Sequence, residues 1–187
     1  MTEDSTNQNS SSPKNVKMSV AGITLDPTNN MPIIILKADE GEVAIPIWIG
    51  LIEASAIATE LEGIKLARPM THDLLKNVLH DLGGTLQRIE VCDLRDNTFY
   101  AHLYIEADDS TLQIDSRPSD AIALALRTGA DIFVSQAVID KSQRIDMKAI
   151  KQAMDESKGG EGKKGDKDKW AEILENLNPE DFGKYKM

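Results

Sequence analysis

The sequence predicts an α+β fold in which mainly antiparallel strands form two βββα-like halves, with helices packed on the sheets. Three observations support this prediction. Segments rich in β-branched residues alternate with dense turn residues, each run of three such segments leads to an alanine-rich helical segment, and glycines end the helical segments. The chain has 187 residues, which is the length of one domain with extensions.

Turn residues divide the first half into three predicted strands, at residues 16–25, 32–38 and 43–49. Pro46 indicates that the third strand is an edge or contains a bulge, because proline cannot donate to a central ladder. Residues 51–61 have helical periodicity, and Gly63 ends this helix. Thr71 is then the predicted N-cap of a second helix over residues 72–82.

The second half repeats this order. Its predicted strands are residues 85–94, 98–106 and 111–115. A very apolar helix over 121–127 follows them and ends at Gly129. The remaining predicted elements are a short strand at 132–134 and two helices at 135–139 and 145–154.

The two strand-to-helix corners resemble each other. Ile47 is followed after five residues by Glu53 and an alanine-rich segment, and Ile114 is followed in the same way by Asp120. The corresponding residues lie 67 positions apart. This spacing suggests an internal repeat, and chance similarity between two corners is the alternative.

The two ends of the chain differ from its middle. Residues 1–15 are almost free of apolar side chains, which predicts a disordered tail, and residues 157–169 form a linker rich in Gly, Lys and Asp. Residues 16–156 are the predicted domain. Within the last segment, 170–187, apolar side chains recur with helical spacing over 170–177. This helix is too short to be stable alone, so we expect it to dock on its own domain or on a protein partner.

Composition indicates the compartment. The single cysteine, Cys92, excludes an intrachain disulfide, and its apolar, alternating surroundings predict a buried and inert thiol. The sequence contains no apolar run long enough for a membrane helix, and its N-terminus does not have the pattern of a signal peptide. We therefore expect no membrane partner and a cytoplasmic location.

The charge of the chain is unfavourable for nucleic-acid binding. The formal net charge is −10, and residues 16–157 carry −9 of it. An acidic surface repels phosphates at long range, so such binding would need a local basic patch or bound metal ions. Aromatic residues make up only 4% of the chain, which argues against a base-stacking platform. Trp48 is expected in the core or in a dimer interface.

Three motifs of the chain resemble the bifunctional nuclease domain family. They are IPIWIGLIEASAIA at 45–58, RPMTHDL at 68–74 and IDSRPSDAIALALR at 114–127, and they occur in the family's order. The resemblance extends over residues 16–139. It implies a compact α+β fold, a homodimer, and nuclease activity on RNA and DNA. It does not supply a list of catalytic residues.

Phosphodiester hydrolysis needs an activated water and charge relief on the phosphoryl oxygens. Two Mg²⁺ or Mn²⁺ ions held by carboxylates can provide both, and no organic cofactor is expected because nucleotide-binding motifs are absent from the sequence. The predicted metal ligands are Asp115, Asp120 and Glu53. The predicted catalytic residues are Asp115, Asp120, His72 and Asp73. Arg68 and Arg117 each precede a proline that holds the backbone extended, and they are predicted to bind the substrate phosphate.

Each of these candidates also has a structural explanation. Asp73 and Asp120 lie in first helical turns, where a carboxylate can cap the helix and offset its dipole. Asp120 can also pair with Arg117, three residues earlier. A neutral His72 near a helix N-terminus can act as a base or a ligand.

Two functions therefore remain open. The first is a metal-assisted nuclease acting on RNA or DNA. The second is a non-catalytic, dimeric binding or regulatory module that recognises an anionic ligand or a protein through Arg68 and Arg117. If the connectors that contain these arginines meet in space, a site is expected, and otherwise each is a structural corner. His80 and His102 are expected to be surface or packing residues.

Overall fold

The computed structural model of the protein describes residues 14–26 and 29–142. Several predictions lie outside these residues: most of the tail at 1–15, the helix at 145–154, the linker at 157–169 and the C-terminal helix at 170–177. The described residues form one seven-stranded, mixed sheet with four helices. This arrangement confirms the predicted α+β class.

The strands are β1 (Asn15–Leu25), β2 (Pro32–Ala38), β3 (Ala44–Trp48), β4 (Gly84–Arg95), β5 (Thr98–Ala107), β6 (Ser110–Ser116) and β7 (Asp131–Ser135). Their order in the sheet is β3-β2-β1-β7-β4-β5-β6. The first three strands form one antiparallel meander, and β4, β5 and β6 form another. β7 joins the two meanders, because it pairs antiparallel with β1 and parallel with β4. The two predicted halves therefore share one sheet.

β3 lies at the edge of the sheet, as Pro46 predicts. Pro46 pairs opposite Ile35 of β2. A helix follows each meander, as the two similar corners suggest. The origin of the two halves from an internal repeat stays a prediction.

The helices are α1 (Leu51–Leu61), α2 (Thr71–Asp81), α3 (Pro118–Thr128) and α4 (Gln136–Lys141). α3 begins three residues earlier than predicted, because Pro118 takes the first helical position, where its missing N–H costs nothing. The prediction that Thr71 caps α2 is wrong. Met70 is the N-cap, and its backbone N–H donates to Asp73 Oδ2 at 2.9 Å, so the carboxylate takes over the capping role.

The core contains buried apolar side chains from every described element except α2 and β6. α3 contributes five successive buried residues, 121–125, and its alanines let it lie close to α1 and to the sheet. Burying Ile122 and Leu124 stabilises the fold by roughly 2 kcal/mol each. α2 buries none of its residues and packs on the outside of α3. None of the helices in the described ranges is long and apolar enough to cross a membrane.

Two single-residue predictions have different outcomes. Trp48 is not a core residue: it is 50% exposed on the edge strand, and its Nε1–H donates to Asp26 Oδ2 at 3.0 Å. Its place in a dimer interface stays a prediction. Cys92 is partly buried at a β-bulge between Val91 and Asp93. Burial raises the pKa of its thiol, with nearby carboxylates adding to the effect, and this agrees with an inert thiol.

Candidate functional site

An open cavity of about 450 Å³ is lined by α1, α2, α3 and the connector between α1 and α2. α3 packs against both of the other helices. The apolar side chains of the cavity wall include Ile52, Ala56, Ile64, Leu66 and Met70. Three of these, Ile52, Leu66 and Met70, are about half exposed and form its rim. The volume falls within the range of roughly 300–1,000 Å³ that is typical of small-ligand sites.

Four charged or titratable side chains form a continuous chain on one side of this cavity. His72 Nε2 lies 3.2 Å from Asp120 Oδ1. Arg117 donates from Nε to Asp120 Oδ2 at 2.7 Å and from Nη1 to Glu53 Oε1 at 2.9 Å. The two connectors singled out in the sequence therefore meet in space, which is the arrangement under which a site is expected.

The environment of Asp120 keeps it ionised. Burial alone would raise the pKa of its carboxyl group, but hydrogen bonds from Arg117 and His72 outweigh this and hold the pKa below its usual value. The His72 side chain is 14% exposed, whereas that of Arg117 is 63% exposed. The imidazole is therefore shielded beside a fixed anion, and the guanidinium reaches solvent.

Asp73 belongs to a second, more buried cluster. Its Oδ1 accepts a hydrogen bond from Arg127 Nε at 2.6 Å. Arg127 also donates to the backbone carbonyls of Ala56 and Ala123, each at 3.0 Å, and its side chain is only 3% exposed. These bonds hold α1, α2 and α3 together at one point, next to His72. In this structure Asp73 fixes the position of α2 through its bonds to Arg127 and to the Met70 N–H.

Arg127 is a site residue that the sequence analysis did not identify. Arg127 is the last residue of the apolar segment IALALR in α3. Because most of this helix is buried, a cation there must be paired with hydrogen-bond acceptors or anions. That conflict between charge and burial is the signal that could have revealed it.

The connector between α1 and α2 carries two more cations. Lys65 and Arg68 are exposed and lie in the chain between the wall residues Ile64, Leu66 and Met70, although neither lines the cavity itself. Arg68 makes no hydrogen bond or ion pair with another described residue, so its guanidinium is available to a ligand.

Asp115 lies away from this site. It pairs opposite His102 between β5 and β6. Ala101 and Leu103 on either side of His102 belong to the core cluster that also contains α3. Because side chains alternate along a strand, His102 and Asp115 point to the opposite face of the sheet. There the Gln113 amide Nε2–H donates a hydrogen bond to His102 Nδ1 at 3.0 Å. His80 is a surface residue with 87% of its side chain exposed.

The predicted metal ligands do not fit a divalent ion in this arrangement. Arg117 bridges Glu53 and Asp120, and Asp115 lies across the sheet from both. Within residues 14–26 and 29–142, no three His, Cys, Asp or Glu side chains form a group that could hold a metal ion. A role for Mg²⁺ or Mn²⁺ stays a prediction.

Comparison with known proteins gives one matching family and several similar relatives. Residues 34–147 match the bifunctional nuclease domain. An uncharacterized protein of Mycobacterium tuberculosis is 36% identical over 163 residues, which cover 87% of this chain and 95% of the relative. Bifunctional nuclease 1 of Oryza sativa subsp. indica is 24% identical over 109 residues, which are 56% of this chain and 33% of the rice protein. Bifunctional nuclease 2 of Arabidopsis thaliana is 26% identical over 107 residues, 55% of this chain and 32% of the plant protein.

Proposed function

The chain belongs to the bifunctional nuclease domain family, and from this we propose that it is a nuclease that hydrolyses phosphodiester bonds in RNA and DNA. The observation that carries the proposal is the chain His72–Asp120–Arg117–Glu53 beside the cavity. It places a base and a phosphate-binding cation on the two sides of one anion, Asp120, which contacts both of them.

Arg117 is the proposed phosphate-binding group. A guanidinium has five N–H donors, and three of them make the bonds to Asp120 and Glu53. Two donors remain for a phosphate oxygen, on a side chain that is mostly exposed. Arg68 and Lys65 are exposed on the connector that supplies Ile64, Leu66 and Met70 to the cavity wall, and their positive charge favours the approach of a phosphate to the acidic domain.

His72 is the proposed general base. If Nε2–H donates to the ionised Asp120, Nδ1 is left unprotonated and can accept a proton from water. Asp120 then stabilises the imidazolium that forms, as an orienting carboxylate does in other hydrolases. In this tautomer the Asp120 carboxylate also keeps Arg117 in place, so base and cation are fixed by one residue.

The proposed reaction is an attack by water on the phosphorus atom. The water oxygen forms a bond to phosphorus, the water proton moves to His72 Nδ1, and the bond from phosphorus to the leaving oxygen breaks. The proton on His72 can then pass to that oxygen. Arg117 stabilises the charge on the phosphoryl oxygens during the attack.

The proposal is tested by cleavage of end-labelled single-stranded RNA and DNA with purified protein. His72→Asn should lower the rate by about 10²–10⁴-fold, which is the usual contribution of a general base. His80→Asn is the matched control, because His80 is on the same helix but is exposed and does not line the cavity. Equal rates for the two variants would contradict the assignment of the base.

The same assay tests whether a metal ion assists. Reactions run with Mg²⁺, with Mn²⁺ and with EDTA should differ if the predicted ion takes part. The metal dependence of cleavage is then compared between Asp120→Asn and the control Asp140→Asn, which lies on helix α4. A loss of metal dependence in Asp120→Asn alone would show that the ion acts at this site. A metal-dependent activity that survives Asp120→Asn would place the ion elsewhere in the protein.

The second candidate function is a non-catalytic binding or regulatory module. It is favoured by two observations: the cavity wall is mostly apolar, and Arg117 already neutralises part of the charge on Glu53 and Asp120. Such a module would bind an anionic ligand with an apolar body and release it unchanged. Absence of cleavage under every metal condition, together with saturable ligand binding that Arg117→Met abolishes, would support this function.

We propose that the protein is a homodimer that pairs through α2. This helix buries none of its residues and exposes Leu74, Leu75 and Val78, with Leu82 exposed just beyond its end. A continuous apolar surface of this kind is typical of an interface. Sedimentation should give a dimer that Val78→Lys converts to monomer, whereas Asn77→Lys, on the same exposed helix but outside that apolar set, should leave the dimer intact.

Two further proposals concern the C-terminus and the compartment. The apolar spacing over 170–177 supports a protein partner for that segment, and its deletion should then abolish co-purification without changing cleavage. A single cysteine supports a cytoplasmic location, which cell fractionation tests.

A further inference from the structure

We infer that the cavity beside Arg117 receives one unpaired nucleobase, so that the enzyme acts on single-stranded or locally unpaired nucleic acid. The inference rests on the proposed function, because it assigns the substrate class of the same site.

The position of the cavity links a phosphate to a base. Arg117 both lines the cavity and exposes most of its guanidinium to solvent. A phosphate held there places the attached nucleotide at the cavity rim. The volume of about 450 Å³ is large enough for a ligand larger than a phosphate, and it would be unused if the phosphate alone were bound.

The wall has the chemistry of a base-binding pocket. Ile52, Ala56 and Leu66 provide apolar surface for the flat faces of a ring. Ser55 and Thr59 also line the cavity, and each donates its own hydroxyl proton to a backbone carbonyl, at 2.7 and 2.6 Å. Their oxygens therefore retain lone pairs that can accept hydrogen bonds from the edge of a base.

The apolar wall favours an unpaired base. Three helices and a connector line the cavity, and the flat faces of a base can reach this wall only after the base has left its stack and its partner. In a duplex this step costs unpairing and unstacking energy, whereas a single strand avoids most of that cost. We therefore expect a duplex to be cleaved more slowly than the same strand in single-stranded form.

The first experiment compares one labelled DNA oligonucleotide as a single strand, as a fully paired duplex, and as a single strand with one central abasic residue. We expect the duplex to be cut at least about 10-fold more slowly, and we expect cuts at the phosphates beside the abasic residue to fall by a similar factor. Cuts elsewhere in the abasic strand should be unchanged and serve as the internal reference.

The second experiment changes the wall. Leu66→Ser removes an apolar wall residue that is 52% exposed, so folding should be little affected. It should raise KM about 10-fold on the intact strand and leave cleavage beside the abasic residue unchanged. Leu112→Ser is the matched control, because Leu112 is 48% exposed on β6 and does not line the cavity.

The outcomes separate this inference from the function on which it rests. Cleavage of single strand and duplex at equal rates, or undiminished cutting beside the abasic residue, would overturn the base pocket and leave the nuclease standing. Equal KM values for Leu66→Ser and Leu112→Ser would also overturn it. No cleavage of any of the three substrates would overturn the nuclease and the base pocket together.

Discussion

Replacing Arg127 with methionine should destabilise the protein more than replacing any exposed arginine. Arg127 is buried and makes three hydrogen bonds, to Asp73 and to the carbonyls of Ala56 and Ala123. Methionine fills a similar volume but leaves these acceptors without their donor. Removing one partner of a buried ion pair costs about 3–5 kcal/mol. Because the Asp73 side chain is 34% exposed and can take up water, we expect a loss of about 3 kcal/mol, at the low end of that range.

The measurement is urea unfolding followed by circular dichroism, with the free energy of unfolding obtained by linear extrapolation. Asp73→Asn keeps a hydrogen-bond acceptor but removes the carboxylate from a guanidinium whose side chain is only 3% exposed, so it should also cost about 3 kcal/mol. The double variant Arg127→Met/Asp73→Asn removes the uncompensated anion, so its loss should be smaller than the sum of the two single losses.

The matched control is Arg95→Met. Arg95 Nε lies 2.6 Å from Asp93 Oδ2, the same distance as in the Arg127–Asp73 pair, but its side chain is 65% exposed. Its replacement should leave the unfolding midpoint almost unchanged, because solvent screens an exposed pair. Equal destabilisation by Arg127→Met and Arg95→Met would refute the reasoning that burial sets the value of this contact.

Three other predictions follow from groups described above. In Asp73, burial would raise the pKa, but the Met70 N–H and Arg127 hold it below its usual value. The ionised Asp73 carboxylate therefore contributes fully to the free energy of unfolding above its unfolded pKa of about 3.9. This contribution is lost as the pH falls through the lower pKa of the folded state. Consequently, the stability gap between wild type and Arg127→Met should narrow in urea titrations near pH 3 and should not narrow between pH 6 and 8. Gly129→Ala should cost about 1 kcal/mol in thermal unfolding, since Gly129 has φ of 73° and an added Cβ would meet no atom within 4 Å, so the cost is backbone strain alone; an unchanged melting temperature would contradict this. Cys92 should react with a thiol reagent more slowly than a free cysteine at pH 8, and a faster reaction would show that its thiol pKa is not raised.

The fold could be predicted from the sequence because its signals are local. Alternation, turn residues and glycines identified all seven described strands and all four described helices, with bounds that differ by a few residues. The error at α2 has a local cause as well: Thr71 is a good cap by residue type, but the Asp73 carboxylate already accepts the Met70 N–H. The joining role of β7 was not predicted, because the pairing of a five-residue strand depends on distant partners.

The site was predictable only in part. His72, Asp120, Arg117 and Glu53 were singled out by type and position, and the structure brings them together. Arg127 was missed because its partners come from α1 and α2, which no sequence pattern near Arg127 indicates. Asp115 was chosen for its place at a strand end. Side chains alternate between the two faces of a strand, so the face on which Asp115 lies depends on the register in which β6 pairs with β5. The sequence of β6 alone does not show this register.

The position of β7 has a consequence for synthesis on the ribosome. Each meander is contiguous in sequence, so each can form its hairpins soon after it emerges. The strand that joins them, Asp131–Ser135, is the last of the described strands in chain order. It pairs with β1, which is synthesised before all the other described strands. Until it emerges, β1 and β4 both present open edges to other nascent chains. We therefore expect chaperones to bind chains arrested before residue 131 and to release those arrested far enough beyond it for β7 to have left the exit tunnel.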